Sequence, residues 1–169
     1  MKTTLETFEG FAPNSRTWVY QASRNLTDAE AAEVKQVACT FAADWKSHGA
    51  PLKAAADVLY NRFLVMMVNE DAGSASGCSI DSSVAQVRSI GQKLNIDLFD
   101  RMTLAYLNSE NELETVHANK VSEAFEHGAL NEQTTVFNNM VTSYAELQTN
   151  WRIPVVKSGV ESRVNSVQE

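Results

Sequence analysis

Residues that cross-link folds or bind metals are scarce in this chain. Of its 169 residues only two are cysteines and three are histidines. Cys39 and Cys78 belong to no CxxC motif, which argues against a disulfide framework and favours a reducing, cytoplasmic location. The histidines lack the spacing of metal ligands, so the sequence predicts no metal site and no cofactor.

Long apolar segments and an excess of basic charge are also absent. The longest apolar run is FLVMMV, residues 63–68, whereas a membrane-spanning helix needs about 20 such residues. The opening MKTTLETFEGFAPNSR has no apolar core of the kind that signal peptides carry. The formal net charge is −7, which argues against non-specific binding to nucleic acid or to anionic membranes.

The apolar periodicity divides the chain into strands and helices. The predicted order is a strand at 17–22, a helix capped by Thr27 and Glu30, strands at 52–60 and 63–68, a helix beginning near Ser79 to Asp81, and a strand at 102–107. This βαββαβ order predicts an α+β fold, a ferredoxin-like sandwich with a mostly antiparallel sheet and a C-terminal extension. We assign 1–15 to a flexible lead-in, 16–156 to a single α+β domain and 157–169 to a polar tail.

The run FLVMMV is apolar at every position. Both of its alternating faces are therefore expected to be covered, as in a central strand. A two-layer sandwich covers only one face of its sheet. An extra hairpin, the C-terminal elements or a second subunit would have to cover the other, and on this ground the sequence predicts a homodimer.

The loop 73–83, where small residues lead into the second predicted helix, is the main functional candidate. A helix start carries free N–H donors and partial positive charge, and glycines let the backbone approach a ligand closely. The same surroundings favour the thiolate form of Cys78, which is the candidate catalytic residue. The candidate ligand-binding residues are Ser76, Gly77, Ser79, Asp81 and Ser82.

Each of these residues also has a purely structural interpretation. Serine and aspartate gather at helix starts because they cap them, and Ser79 or Asp81 is the expected cap here. A cysteine in this position can be a small buried apolar residue. For Asp97 and Asp100, further along the chain, capping or solvation is the expected role.

Five segments stand out as a set: RTWVYQASR, YNRFLVMMVNE, GSASGCSIDSSV, DLFDRM and VFNNMVTSYAELQTNW. Together they resemble a family of small uncharacterised bacterial proteins often labelled "ABC transporter ATPase", over roughly residues 16 to 155. That label implies ATP hydrolysis, but the chain has no GxxxxGK[ST] loop and no LSGGQ-like signature. The resemblance therefore implies family membership and draws attention to the Cys78 loop, without implying an activity.

Three functions are consistent with these observations. The first is a binding or interaction module that holds a small polar or anionic ligand in the loop 73–83. The alternative is a thiol-dependent enzyme or redox sensor that uses Cys78. The third is a structural protein whose sheet pairs subunits. The sequence leaves open whether the protein is an enzyme.

Overall fold

The structure, a computed structural model, describes residues 1–160, which form nine strands and four α-helices. The elements are β1 (Arg16–Gln21), α1 (Asp28–Asp44), β2 (Lys46–Ser47), β3 (Ala50–Pro51), β4 (Ala54–Leu59), β5 (Phe63–Val68), α2 (Gly77–Leu94), β6 (Thr103–Leu107), β7 (Leu113–His117), α3 (Val121–Glu126), β8 (Thr135–Phe137), α4 (Tyr144–Thr149) and β9 (Arg152–Pro154). All the strand pairs within the described residues are antiparallel. The predicted α+β class with a mostly antiparallel sheet is confirmed.

The strands form two main sheets and one small hairpin. The first sheet has the order β1-β5-β4, the second has the order β7-β6-β8-β9, and β2 pairs with β3 alone. The strand that follows α2 is β6, and it pairs with β7 and β8 rather than returning to β1. The ferredoxin-like order is therefore not confirmed, because its fourth strand lies in a different sheet.

The central strand β5 is buried at all six positions, as its composition predicts. Leu64, Met66 and Val68 belong to a core cluster shared with α1 and α2. The residues of the opposite face, Phe63, Val65 and Met67, belong to a second cluster shared with β6, β8 and α4. The C-terminal half of the chain thus covers the second face of the first sheet, which removes the reason given above for expecting a homodimer.

Helix α1 begins at the predicted capping box. The backbone N–H of Glu30 donates to Oγ1 of Thr27 at 3.1 Å, and the N–H of Thr27 donates to Oε2 of Glu30 at 2.9 Å. The helix ends at Asp44, and the buried Trp45 follows it. The indole N–H of Trp45 donates to the carbonyl of Ser79 at 2.9 Å and so ties the end of α1 to the start of α2.

The turn between β4 and β5 is one residue longer than the Asn61-Arg62 pair that the sequence indicates. The strands end at Leu59 and resume at Phe63. The left-handed residues are Tyr60 and Asn61, with φ of 55° and 48°. Asparagine tolerates this conformation, whereas tyrosine seldom adopts it, so the sequence gives little sign of it.

The lead-in, residues 1–15, lies against the domain. Phe8 is fully buried between the two sheets. The carbonyl of Lys2 accepts a hydrogen bond from the N–H of Tyr60 at 2.7 Å. Of the predicted tail 157–169, the part from 161 onward lies outside the described residues.

Candidate functional site

The loop 73–83 leads into α2 two residues earlier than the sequence predicts. Ser76 is the N-cap and Gly77 the first helical residue, so neither Ser79 nor Asp81 caps the helix. The cause is local, because Oγ of Ser76 accepts the N–H of Ser79 at 3.2 Å. Cys78 consequently lies inside the first turn of α2 rather than before it.

Most of the predicted ligand-binding hydroxyls of this loop bond to their own helix. The Ser79 hydroxyl donates to the carbonyl of Ser76 at 2.8 Å, and the Ser82 hydroxyl donates to the carbonyl of Cys78 at 3.0 Å. Ser79 is also buried, while Gly77 is exposed. The fold therefore places the predicted residues around one helix start, where the serines have a visible structural role.

The two cysteines occupy different environments. Cys78 is exposed, so its interpretation as a buried apolar residue is wrong. Cys39 is half-buried in α1, and its thiol donates to the carbonyl of Ala56 at 3.2 Å. Burial raises the pKa of the Cys39 thiol, although the nearby Lys35 ammonium opposes that shift.

A groove of about 610 Å³ lies at the opposite end of α2, between its last two turns and the segment 95–101. We call it the α2 groove. Val87, Ile96 and Leu98, all buried, give it an apolar floor. The carboxamides of Gln92 and Asn95 also line it. This combination of an apolar floor and a few polar groups is typical of small-molecule sites.

The floor of the α2 groove depends on a close contact between two backbones. The Ile96 N–H donates to the carbonyl of Gly91 at 2.8 Å. A Cβ atom on Gly91 would lie 2.5 Å from the carbonyl oxygen of Ile96. A glycine within the apolar face of a helix indicates that another backbone passes close by, and the backbone that approaches Gly91 is this returning segment rather than the sheet.

The segment 95–101 is fixed to the end of β1. The Ser23 N–H donates to the carbonyl of Asp97 at 2.7 Å, and the Asp100 N–H donates to the carbonyl of Gln21 at 3.1 Å. The side chain of Asp97 accepts the N–H of Phe99 at 2.8 Å, and that of Asp100 accepts a backbone N–H two residues further on at 2.9 Å. Each aspartate thus accepts a backbone N–H two residues ahead within a loop, so neither caps a helix, and these bonds hold the segment in place.

Two arginines line the α2 groove without a carboxylate partner. Neither Arg88 nor Arg101 forms an ion pair or a conventional hydrogen bond within residues 1–160. The guanidinium carbon of Arg88 lies 5.3 Å from the centre of the Phe99 ring. Asp97 contributes a carboxylate to the lining, and one of its oxygens already accepts the Phe99 N–H. The charged groups of the groove thus sum to a positive charge in an acidic protein.

A second groove, of about 810 Å³, runs between the exposed sides of α1 and α2. Its lysine is already neutralised, because Nζ of Lys93 lies 2.6 Å from Oε1 of Glu33. The two acidic side chains in its lining, Glu33 and Asp44, outnumber that lysine. This groove therefore offers less to an anionic ligand than the α2 groove does.

A buried carboxylate on β4 forms the most highly connected ion pair in the described chain. The Asp57 side chain is 1% exposed, and its two oxygens lie 2.8 Å from Nζ of Lys2 and 2.9 Å from Nζ of Lys35. The Thr7 hydroxyl and the Val58 N–H also donate to it. Burial alone would raise the pKa of Asp57, but the bonds from Lys2, Thr7 and Lys35 outweigh it and lower that pKa. The arrangement fixes the lead-in to the domain. Both carboxylate oxygens of Asp57 already have partners, so neither is available to a ligand.

Sequence reasoning missed the α2 groove. Its charged groups come from one helix and from a separate segment, at positions 88, 97 and 101, so no short motif contains them. The one available signal is Gly91 inside an apolar helix face, which indicates that another backbone passes close by. The glycine predicts the contact between the two backbones, but it does not predict the groove that forms beside that contact.

None of the helices within residues 1–160 is long and apolar enough to cross a membrane. In the same part of the chain no three His, Cys, Asp or Glu side chains converge to hold a metal ion. No protein-family model, no curated protein and no solved structure matches this chain.

Proposed function

We propose that this protein is a binding module for a small anionic ligand, which it holds in the α2 groove. The observation that carries the proposal is the pair Arg88 and Arg101, two guanidinium groups that line one groove and have no carboxylate partner among residues 1–160. The other four arginines of residues 1–160 all have polar partners: Arg16 and Arg24 pair with glutamates, and Arg62 and Arg152 donate hydrogen bonds to an amide and to a phenol oxygen.

The rigidity of the groove supports the same proposal. Its outer wall, the segment 95–101, is held to β1 by two backbone hydrogen bonds. Its inner wall is an 18-residue helix. A ligand that binds between preformed walls loses little free energy to ordering the protein, so a few charged contacts are enough for measurable affinity.

The proposal predicts that anions shift the NMR signals of the α2 groove. Adding sodium phosphate at constant ionic strength should shift the side-chain signals of Arg88, Gln92 and Asn95. We expect R88Q and R101Q each to weaken phosphate binding by about tenfold, since each removes one charge-assisted contact. Lys46→Gln, which removes an exposed lysine near the other end of α2, is the matched control and should bind like the wild type.

The same titration separates the α2 groove from the loop 73–83. Shifts confined to Gly77, Cys78 and Asp81, with R88Q and R101Q binding like the wild type, would assign the ligand to the loop instead. The absence of shifts at both places, up to tens of millimolar phosphate, would contradict an anion-binding function.

The exposure of Cys78 favours a second candidate, a thiol-dependent function. The prediction is that iodoacetamide labels Cys78 quickly in the folded protein and labels Cys39 slowly, because Cys39 is half-buried and bonded to Ala56. C39S isolates the Cys78 reaction, and C78S should change the free energy of unfolding by less than about 0.5 kcal/mol, as exposed substitutions usually do.

The rate at which iodoacetamide labels Cys78 shows whether this thiol is more reactive than an ordinary cysteine. A rate near pH 7 well above that of an unstructured cysteine peptide would support a thiol enzyme or redox sensor. A rate equal to that of the peptide would remove this candidate and leave Cys78 as a surface residue.

A further inference from the structure

We infer that Arg88 binds a carboxylate or phosphoryl group of the ligand in a bidentate manner, with two parallel hydrogen bonds to two of its oxygens. Arg101 contributes only its positive charge. This inference rests on the proposed function and specifies the ligand class. The α2 groove would then select small organic acids over spherical anions such as chloride. The argument depends on how differently the two guanidinium groups are held.

The guanidinium group of Arg88 is held over an aromatic ring. Its central carbon lies 5.3 Å from the centre of the Phe99 ring, within the range of a cation–π contact. An aromatic ring offers no lone pair in its plane, so the N–H donors of Arg88 stay free for a ligand. Two parallel N–H donors match two oxygens of a carboxylate or phosphate, which an ammonium group cannot do.

The ring that holds Arg88 is itself fixed. The Phe99 ring meets the ring of Tyr20 edge-on, with their centres 5.4 Å apart. Its backbone N–H donates to the side chain of Asp97, and the carbonyl of Asp97 accepts the N–H of Ser23. Phe99 is therefore a positioning residue that orients Arg88 in advance of binding.

Arg101 is held differently. Both arginines are exposed, but the side chain of Arg101, unlike that of Arg88, makes no ring contact or conventional hydrogen bond within residues 1–160. A long exposed side chain with no fixed orientation acts as a mobile charge. A lysine at position 101 should serve as well, whereas a lysine at position 88 should not.

The rest of the groove indicates what the oxyanion is attached to. The apolar floor, formed by Val87, Ile96 and Leu98, lies beside the Phe99 ring. An apolar body on the ligand would cover this floor and gain affinity by leaving water. The expected ligand class is therefore a small organic acid with an apolar body, such as an aromatic carboxylate or an aryl phosphate.

The test compares two matched lysine variants with three probes. Benzoate, phenyl phosphate and chloride are titrated into the full-length wild type, R88K and R101K, with binding followed by NMR. We expect the wild type to bind benzoate or phenyl phosphate more tightly than chloride, and the tighter of the two to identify the headgroup. R88K should weaken that binding by about tenfold, and R101K by less than about twofold.

A third variant tests the positioning role of Phe99. F99L keeps an apolar side chain but removes the ring, so oxyanion affinity should fall toward that of R88K. Its melting curve shows whether the fold persists.

The outcomes separate this inference from the proposed function. If R88K binds as tightly as the wild type while R88Q and R101Q do not, the groove binds anions through charge alone and the inference is wrong. Equal affinity for chloride and the two oxyanions would also overturn it. If the wild type binds none of the three probes, the proposed function itself fails.

Discussion

Replacing Gly91 with alanine is expected to lower the free energy of unfolding by about 2–3 kcal/mol, which corresponds to a melting temperature lower by about 5–10 °C. The added Cβ would lie 2.5 Å from the carbonyl oxygen of Ile96. Backbone atoms cannot rotate away as the end of a side chain can, so α2 and the segment 95–101 must separate. The resulting strain exceeds the gain of about 1 kcal/mol that alanine brings to a helix interior.

The control for this variant lies in the same helix. Gly77, in the first turn of α2, has nothing within 4 Å of the position where its Cβ would lie. Gly77→Ala should therefore leave the melting temperature unchanged or raise it slightly. Equal melting temperatures for Gly91→Ala and the wild type would show that the segment 95–101 moves easily. That result would contradict a preformed α2 groove.

Replacing Asp57 with asparagine is expected to lower the free energy of unfolding at pH 7 by about 3 kcal/mol, the lower end of the range for a broken buried ion pair. The carboxylate is 1% exposed and receives bonds from Lys2 and Lys35, whose own side chains are partly in water. An amide keeps the shape but removes the charge that both ammonium groups neutralise. Urea unfolding of the variant beside the wild type measures the loss.

The pH dependence of that loss has a definite sign. The pKa of Asp57 is lowered in the folded protein, so the carboxylate stabilises the fold fully above the pKa of the unfolded chain, near 3.8. This stabilisation disappears as the pH falls through the lower, folded value. The wild type and Asp57→Asn should therefore differ at pH 7 and converge in strongly acidic solution.

The matched control for this prediction is Asp44→Asn. Asp44 is an exposed residue at the end of α1, and its carboxylate has no ion-pair partner within residues 1–160. The free energy of unfolding of Asp44→Asn should equal that of the wild type at every pH. A difference between wild type and Asp57→Asn that stays constant down to pH 2 would contradict a charge-based role for Asp57.

The sequence predicts those features whose cause is local. The Thr27–Glu30 capping box appears as expected, because its partners are three residues apart and need no other part of the chain. The run 63–68 is buried on both faces because every one of its residues is apolar. Both features follow from short-range chemistry that a single segment contains.

Features that depend on distant contacts could not be predicted in the same way. Nothing in 103–107 indicates that this strand joins a second sheet, because any of several neighbours would satisfy its hydrogen bonds. The buried face of α2 includes Ser79 and Ser83, which an apolar pattern overlooks. The α2 groove combines both difficulties, since its two arginines line one groove only once Ile96 has packed against Gly91.

The covering of β5 by two different parts of the chain has a consequence for how the protein folds during synthesis. The helices that cover one of its faces lie within the first 94 residues. The other face is fully covered only after Phe137, Leu147 and Trp151 have been synthesised. Roughly 80 residues separate β5 from Trp151, which amounts to about 4–16 s at ordinary translation speeds. Until those residues are made, Phe8 of the lead-in and Ala105 of β6 can cover only part of that face, and the rest of it is an apolar strip of the kind that chaperones recognise.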